Sequence, residues 1–216
     1  MPVQVTPYVP RTITVHLGPP DEWAENVTVS FPDYVKNVAS SEIYPTWEPA
    51  AIQANILAIT SFALNRVYTE FYPSRGYDFQ ITSSTAYDQK FIRDRNIFEN
   101  ISRTVDEMFT DYIRREGFVE PLAAKFCNGT TSTCAGLSQW GSQELAQQGY
   151  GPMEILRYYY GDDIELVGKQ PRSSPWASPT RAIPCGWAHR AGCDDHEDRC
   201  STASPRAIRP SPSSGR

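Results

Sequence analysis

The longest helical period in the sequence runs from Pro49 to about Glu70. Ala51, Ile52, Ile56, Ile59, Ala63 and Val67 recur at helical spacing, and the small Ala54 and Ala58 permit a close neighbour. This predicts a central buried helix opened by Glu48-Pro49, since proline suits a first helical turn. Ahead of it, alternating β-branched positions predict strands over Arg11–Leu17 and Val27–Phe31, linked through the turn-forming Gly18-Pro19-Pro20-Asp21. His16 falls in the first strand and reads as a strand-face residue. Tyr34, Val35 and Val38 mark one face of a helix over Asp33–Ser41, started by Pro32 and stopped before Pro45.

Beyond the central helix the pattern is broken more often. Phe71–Asp78 reads as a turn-rich loop, Phe79–Thr82 as a short strand, and Ser83–Phe91 as a polar, aromatic loop along a cleft. Ile97, Ile101, Val105, Met108 and Tyr112 predict a helix over Asn96–Arg115, with Asn96 and Glu99 as a capping pair and Gly117 as its stop. Val119–Phe126 reads as a strand. A small-residue loop follows, then short helices over Ser142–Gln148 and Pro152–Tyr160, each ended by a glycine, and a last strand over Asp162–Val167. There are no internal repeats.

Composition adds bounds. The 216 residues suffice for one domain with a real core. A net charge of −5 provides no general basic field for nucleic acid. The 12 Tyr and 5 Trp suit a sugar cleft, though core and surface packing uses the same side chains. No run approaches the ~20 apolar residues of a membrane span. Met1–Pro10 has neither a positive n-region nor an apolar h-region, so it does not read as a signal peptide but as an extended arm.

One carboxylate stands out. Glu42 lies at the break between the first two helices, flanked by the small Ala39, Ser40 and Ser41 and by the aromatic Tyr44 and Trp47. A lone Glu after a helix is ordinarily a solvated charge. An apolar wall would desolvate it and raise its pKa, which a general acid near neutral pH requires. Elsewhere, Gly136-Leu137-Ser138-Gln139-Trp140-Gly141 is not a G-x-S-x-G elbow, and no histidine of the body is set to activate Ser138, which argues against a serine hydrolase. Asp162, Asp163 and Glu165 read as a solvated strand end rather than a cation site.

The segment Y-V-K-N-V-A-S-S-E-I-Y-P-T-W-E-P-A-A-I-Q-A-N-I-L-A-I-T-S-F-A-L-N-R, Tyr34–Arg66, resembles the defining segment of the stage II sporulation protein D family, which includes the amidase enhancers. A second stretch, G-L-S-Q-W-G-S-Q-E-L-A-Q-Q-G-Y-G-P-M-E-I-L-R-Y-Y-Y-G, Gly136–Gly161, is similar to that family's second signature. The resemblance implies a single α+β domain over residues 11–168, with a glycan cleft and a long central helix. It implies lytic transglycosylation of peptidoglycan, with Glu42 protonating the bond between N-acetylmuramic acid and N-acetylglucosamine and then serving as base. Ser138, Gln139 and Trp140 would lie on the same cleft with Tyr44 and Trp47, and Gln89 matches a glutamine of the family's middle motif. The implied partners are glycan strands and other wall hydrolases, at the cell wall or spore envelope. A non-catalytic glycan-binding or amidase-enhancing protein of the same fold is the alternative, and a spore-structural protein a third.

The sequence departs from the family in two places. Some members bind zinc through His and Cys near the middle motif; here it reads T-A-Y-D-Q, so neither metal nor other cofactor is expected. The family's His-containing loop is replaced by C-N-G-T-T-S-T-C-A-G-L. Cys127 and Cys134 in that loop are expected as free buried thiols, with a disulfide as the other option. The last 48 residues, 169–216, hold seven Pro, eight Ser and seven Arg with little apolar periodicity, and are expected to be disordered. Cys185, His189, Cys193, His196 and Cys200 lack zinc-knuckle spacing. Back-translated with chosen codons and read two bases on, Ser174–Arg190 yields a Pro-Gly linker like one entering a peptidoglycan-binding module. The tail is therefore expected to be a frameshift product.

Overall fold

The computed structural model describes residues 7–168. Residues 1–6 of the expected arm, and the tail with its disorder, zinc and frameshift readings, lie outside the described residues. Thr12–His16 (β1) and Asn26–Ser30 (β2) pair antiparallel, with Thr12 opposite Ser30 and His16 opposite Asn26. Ser30 then caps Phe31–Glu42 (α1): its hydroxyl accepts the Asp33 N–H at 3.2 Å, and Pro32 occupies the first turn. Pro49–Tyr68 forms α2. Ile81–Thr82 (β3) joins β1 in parallel, completing a sheet of order β2-β1-β3. Glu99–Met108 (α3) and Tyr112–Arg115 (β4) follow, then Phe126–Cys127 (β5), Leu137–Ser138 (β6), Gln139–Gln147 (α4), Pro152–Tyr160 (α5) and Ile164–Val167 (β7). β4 and β7 pair antiparallel; β5 and β6 pair in parallel. The architecture is mixed α and β, as the resemblance implies.

Every residue of α2 from Ala54 to Asn65 is buried. Ala51, Ile52, Ile56 and Ile59 meet Ile13 and Val15 of β1, Val35 and Val38 of α1, and Ile101 and Val105 of α3 in one core. Ala54, Leu57 and Ala58 meet Ile113, Leu137, Ile155, Leu156 and Ile164 in a second. A helix enclosed on all sides has no solvent face for polar groups, so those it carries need partners. Asn55 donates to Ser142 Oγ at 2.8 Å, and Ser61 Oγ accepts the Ile113 N–H at 2.9 Å. Asn65 donates to Glu120 at 2.7 Å and to the Pro121 carbonyl at 2.9 Å. Each bond fixes one neighbour: α4, β4 and the segment before β5. His16 is a structural strand residue, buried with both ring nitrogens hydrogen-bonded, to Asn26 and the Glu22 carbonyl.

Three boundaries differ from expectation. The helix predicted over Asn96–Arg115 spans only Glu99–Met108, and Asn96 does not cap it. Tyr112–Arg115 is instead a strand, because its backbone pairs with β7 and Ile113 reaches the Ser61 hydroxyl. The strand predicted over Val119–Phe126 is largely irregular: Pro121 has no N–H to donate, and only a single bridge to Arg114 and the short β5 remain. Helix α4 starts at Gln139 rather than Ser142, because Ser138 Oγ accepts the Gly141 N–H at 3.0 Å and caps it. Cys127 and Cys134 are not free thiols. They form a disulfide with Cα atoms 6.1 Å apart, brought together as the Gly129 N–H folds back onto the Ser132 carbonyl. Closing so short a loop contributes about 2–3 kcal/mol by chain-entropy scaling.

Thr60 is the exception among the polar residues of α2. Its hydroxyl is buried and has no hydrogen-bond partner among the described residues. Thr60→Val keeps the shape and removes the unsatisfied group, so it is expected to raise the unfolding free energy by about 1 kcal/mol, measured by urea titration.

Candidate active site

Glu42 is the last residue of α1. A carboxylate there faces the negative end of the helix dipole, an unfavourable place for a merely structural anion. Two donors from distant segments hold it. The Lys90 N–H reaches Oε1 at 3.0 Å, and the Gln139 side-chain amide reaches Oε2 at 3.1 Å. The side chain remains half-buried. Beside it, Tyr44, Trp47 and Trp140 form an aromatic cluster, with ring centroids 5.7 Å apart for Tyr44 and Trp47, 5.6 Å for Tyr44 and Trp140 and 5.1 Å for Trp47 and Trp140. Trp47 is buried at 8% exposure, whereas Tyr44 is 55% exposed, so the cluster has a buried root and an open edge.

The Gln139 contact depends on how α4 meets α2. Ser142 Oγ donates to the Gln139 carbonyl at 2.6 Å and accepts from Asn55. One turn further, Gln143 accepts the Glu48 N–H at 2.8 Å, at the start of α2. Asn55, Gln139, Ser142 and Gln143 are all buried. Gly141 faces α5 instead, where a Cβ would run into the Tyr159 hydroxyl.

The Lys90 contact depends on the 83–98 loop. Asn37 of α1 clamps its backbone with both arms, donating to the Ile92 carbonyl at 2.7 Å and accepting the Ile92 N–H at 3.0 Å. Asp88, its side chain fully buried, accepts from Arg66 at 2.8 Å, Tyr72 at 2.6 Å and the Thr82 N–H at 2.9 Å. Gln89 is 1% exposed: it accepts from Tyr34 at 2.9 Å and donates to the Ile59 carbonyl at 3.2 Å. Burial holds the Tyr34 phenol well above its ordinary pKa, and the nearby charges of Asp88 and Glu42 add to this, so Tyr34 stays a donor.

Glu42, Tyr44, Trp47, Gln139 and Trp140 are thus brought together from the two motifs. Ser138 is adjacent, with its hydroxyl engaged as the α4 cap. Gln89 lies behind the site, its amide occupied in the core. Sequence reasoning did not reach the Lys90 N–H, Asn37, Asn55, Ser142 or Gln143. The one available signal was a buried-type Asn inside an apolar helical run. Among the described residues, no group of three His, Cys, Asp or Glu side chains is arranged to hold a metal ion. A cavity of about 130 Å³ lies near Gln89, lined by Phe62, Tyr87, Lys125, Phe126 and Cys134.

A family model described as SpoIID, stage II sporulation protein, matches residues 21–111. Over these residues the chain is similar to the stage II sporulation protein D family, in agreement with the resemblance of Tyr34–Arg66. The match includes Glu42, Tyr44, Trp47 and Lys90 and ends before α4, so Gln139 and Trp140 join this part of the site by folding. That similarity points to a sporulation-related role at the cell wall. No curated protein matches the chain. No helix among the described residues is long and apolar enough to cross a membrane.

Because Asn55 anchors α4, Asn55→Ala is expected to lower the unfolding free energy by about 2 kcal/mol, whereas Gln147→Ala, at the exposed end of the same helix, changes it by less than about 0.5 kcal/mol. Urea denaturation of the two variants checks the difference.

Proposed function

We propose that the protein cleaves peptidoglycan glycan strands by lytic transglycosylation, with Glu42 as both acid and base. The observation that carries this is one half-buried carboxylate held by two N–H donors beside an aromatic cluster with an open edge. Aromatic faces suit the apolar faces of sugar rings. In the forward step the Glu42 carboxyl gives its proton to the glycosidic oxygen, the bond from that oxygen to the muramic C1 breaks, and the N-acetylglucosamine chain leaves with a free hydroxyl. The muramic 6-hydroxyl oxygen then bonds to C1 and its proton returns to Glu42. The ends are a 1,6-anhydro sugar and a regenerated acid, with no water consumed. A single carboxyl is enough because the nucleophile belongs to the substrate, unlike the paired carboxylates of hydrolytic glycosidases. Gln139 and the Lys90 N–H orient the carboxylate; Tyr44 and Trp140 contact the sugar, and Trp47 backs them.

One feature favours the accessory reading. The polar groups of Ser138 and Gln139 are engaged within the protein, which leaves the aromatic edge as the main contact surface for a glycan. Binding without cleavage would follow if that edge acts alone.

Glu42→Gln separates the two. On purified glycan strands, the wild type is expected to release anhydro-muropeptides detectable by mass spectrometry. The variant is expected to retain binding and lose about 10²–10⁴-fold in rate. Binding by both proteins with no product from either supports the accessory role, and neither binding nor product removes both readings.

A further inference from the structure

Ser138, Gln139 and Trp140 are consecutive, and their backbone is fixed by the loop that precedes them. β5 and β6 set Cys127 opposite Ser138. The Leu137 N–H donates to the Lys125 carbonyl at 3.1 Å, and the Trp140 N–H to the Asn128 carbonyl at 3.2 Å. Gly129, at φ +89°, lies so close beneath Ser138 that a Cβ would collide with its hydroxyl. The site therefore leans on residues 128 and 129, immediately after Cys127.

That loop has little else to hold it. No residue from Asn128 to Gly136 is buried, and all are small or polar. Local turns at Asn128, which accepts the Thr130 N–H at 3.1 Å and the Thr131 N–H at 3.2 Å, bend the chain but do not tie it to a core. Such segments sit at the low end of local stability. The tie is covalent: Cys127 bonded to Cys134, with Cys134 exposed.

We infer that the Cys127–Cys134 disulfide positions the site, holding Asn128 and Gly129 under the Ser138–Trp140 turn and so keeping Gln139 against Glu42, and that opening it with a dithiol reductant releases the turn. The inference rests on Glu42 as the centre of the site. In the opening step a thiolate of the reductant attacks the exposed Cys134 sulfur and Cys127 leaves as a thiolate. The reductant's second thiol then displaces Cys134, so both cysteines end reduced and the reductant ends as a disulfide. The site is competent in an oxidising compartment and slack in a reducing one.

Amide hydrogen exchange on the full chain tests this, with peptide-level alkylation to count thiols. In the oxidised protein the Trp140 and Gly141 amides are expected to be protected. Dithiothreitol is expected to speed their exchange by about tenfold or more and to leave the α2 amides unchanged, and reoxidation restores protection. A Cys127→Ser/Cys134→Ser variant, retaining the tail cysteines, is expected to match the reduced wild type with or without dithiothreitol. On glycan strands, reduction is expected to lower kcat more than it raises KM. The inference is overturned if Cys127 and Cys134 alkylate without reduction, if the two amides exchange equally in both states, or if α2 loosens to the same extent, which marks a purely structural crosslink. Should neither state cleave glycan, the proposed function fails while the exchange difference still decides this inference.

Discussion

A helix buried on every side cannot turn its polar groups to water, and this constraint on α2 organises the rest of the molecule. An unpaired buried polar group costs about 1–3 kcal/mol. Neighbouring elements are therefore fixed not only by apolar contact, which tolerates sliding, but by bonds that allow one register. Asn55 takes α4, Ser61 takes β4, and Asn65 takes the segment around Pro121. The Ile59 carbonyl takes Gln89 in the same way, although as a helix carbonyl it already serves in the helix ladder.

Two of these attachments converge on Glu42. Through Asn55 and Ser142, α4 is seated so that Gln139 meets one carboxylate oxygen. Gln89 and the buried Asp88 hold the loop whose Lys90 N–H meets the other. A carboxylate at an unfavourable helix end is thereby gripped by groups 48 and 97 positions away in sequence. Glycan chemistry proposed for this carboxylate draws on the same grip, because a general acid works only from a defined geometry.

Much of the frame was legible in the sequence. The period of α2, the start of α1 at Pro32 and the strand pair ahead of it are local signals, and the carboxylate with its aromatic flank follows from adjacency; the Ser30 cap, at a residue that reads as strand, is not. What was not legible is relational. Asn55 looks like an interruption in an apolar run until Ser142 is seen across from it. Tyr112–Arg115 fits a helical continuation of α3 until β7 offers it a ladder. Pro121 weakens a strand that hydrophobicity alone favours. The pairing of Cys127 with Cys134 depends on a backbone turn at Gly129 that composition does not dictate.

A crystal structure of the Glu42→Gln variant with a short oligomer of alternating N-acetylglucosamine and N-acetylmuramic acid tests the central claim most directly. A glycosidic oxygen is expected within about 2.6–3.2 Å of the residue 42 side chain, with a sugar ring over Tyr44 or Trp140. An oligomer bound away from residue 42, or one lying across the aromatic edge with no glycosidic oxygen near that side chain, would contradict it.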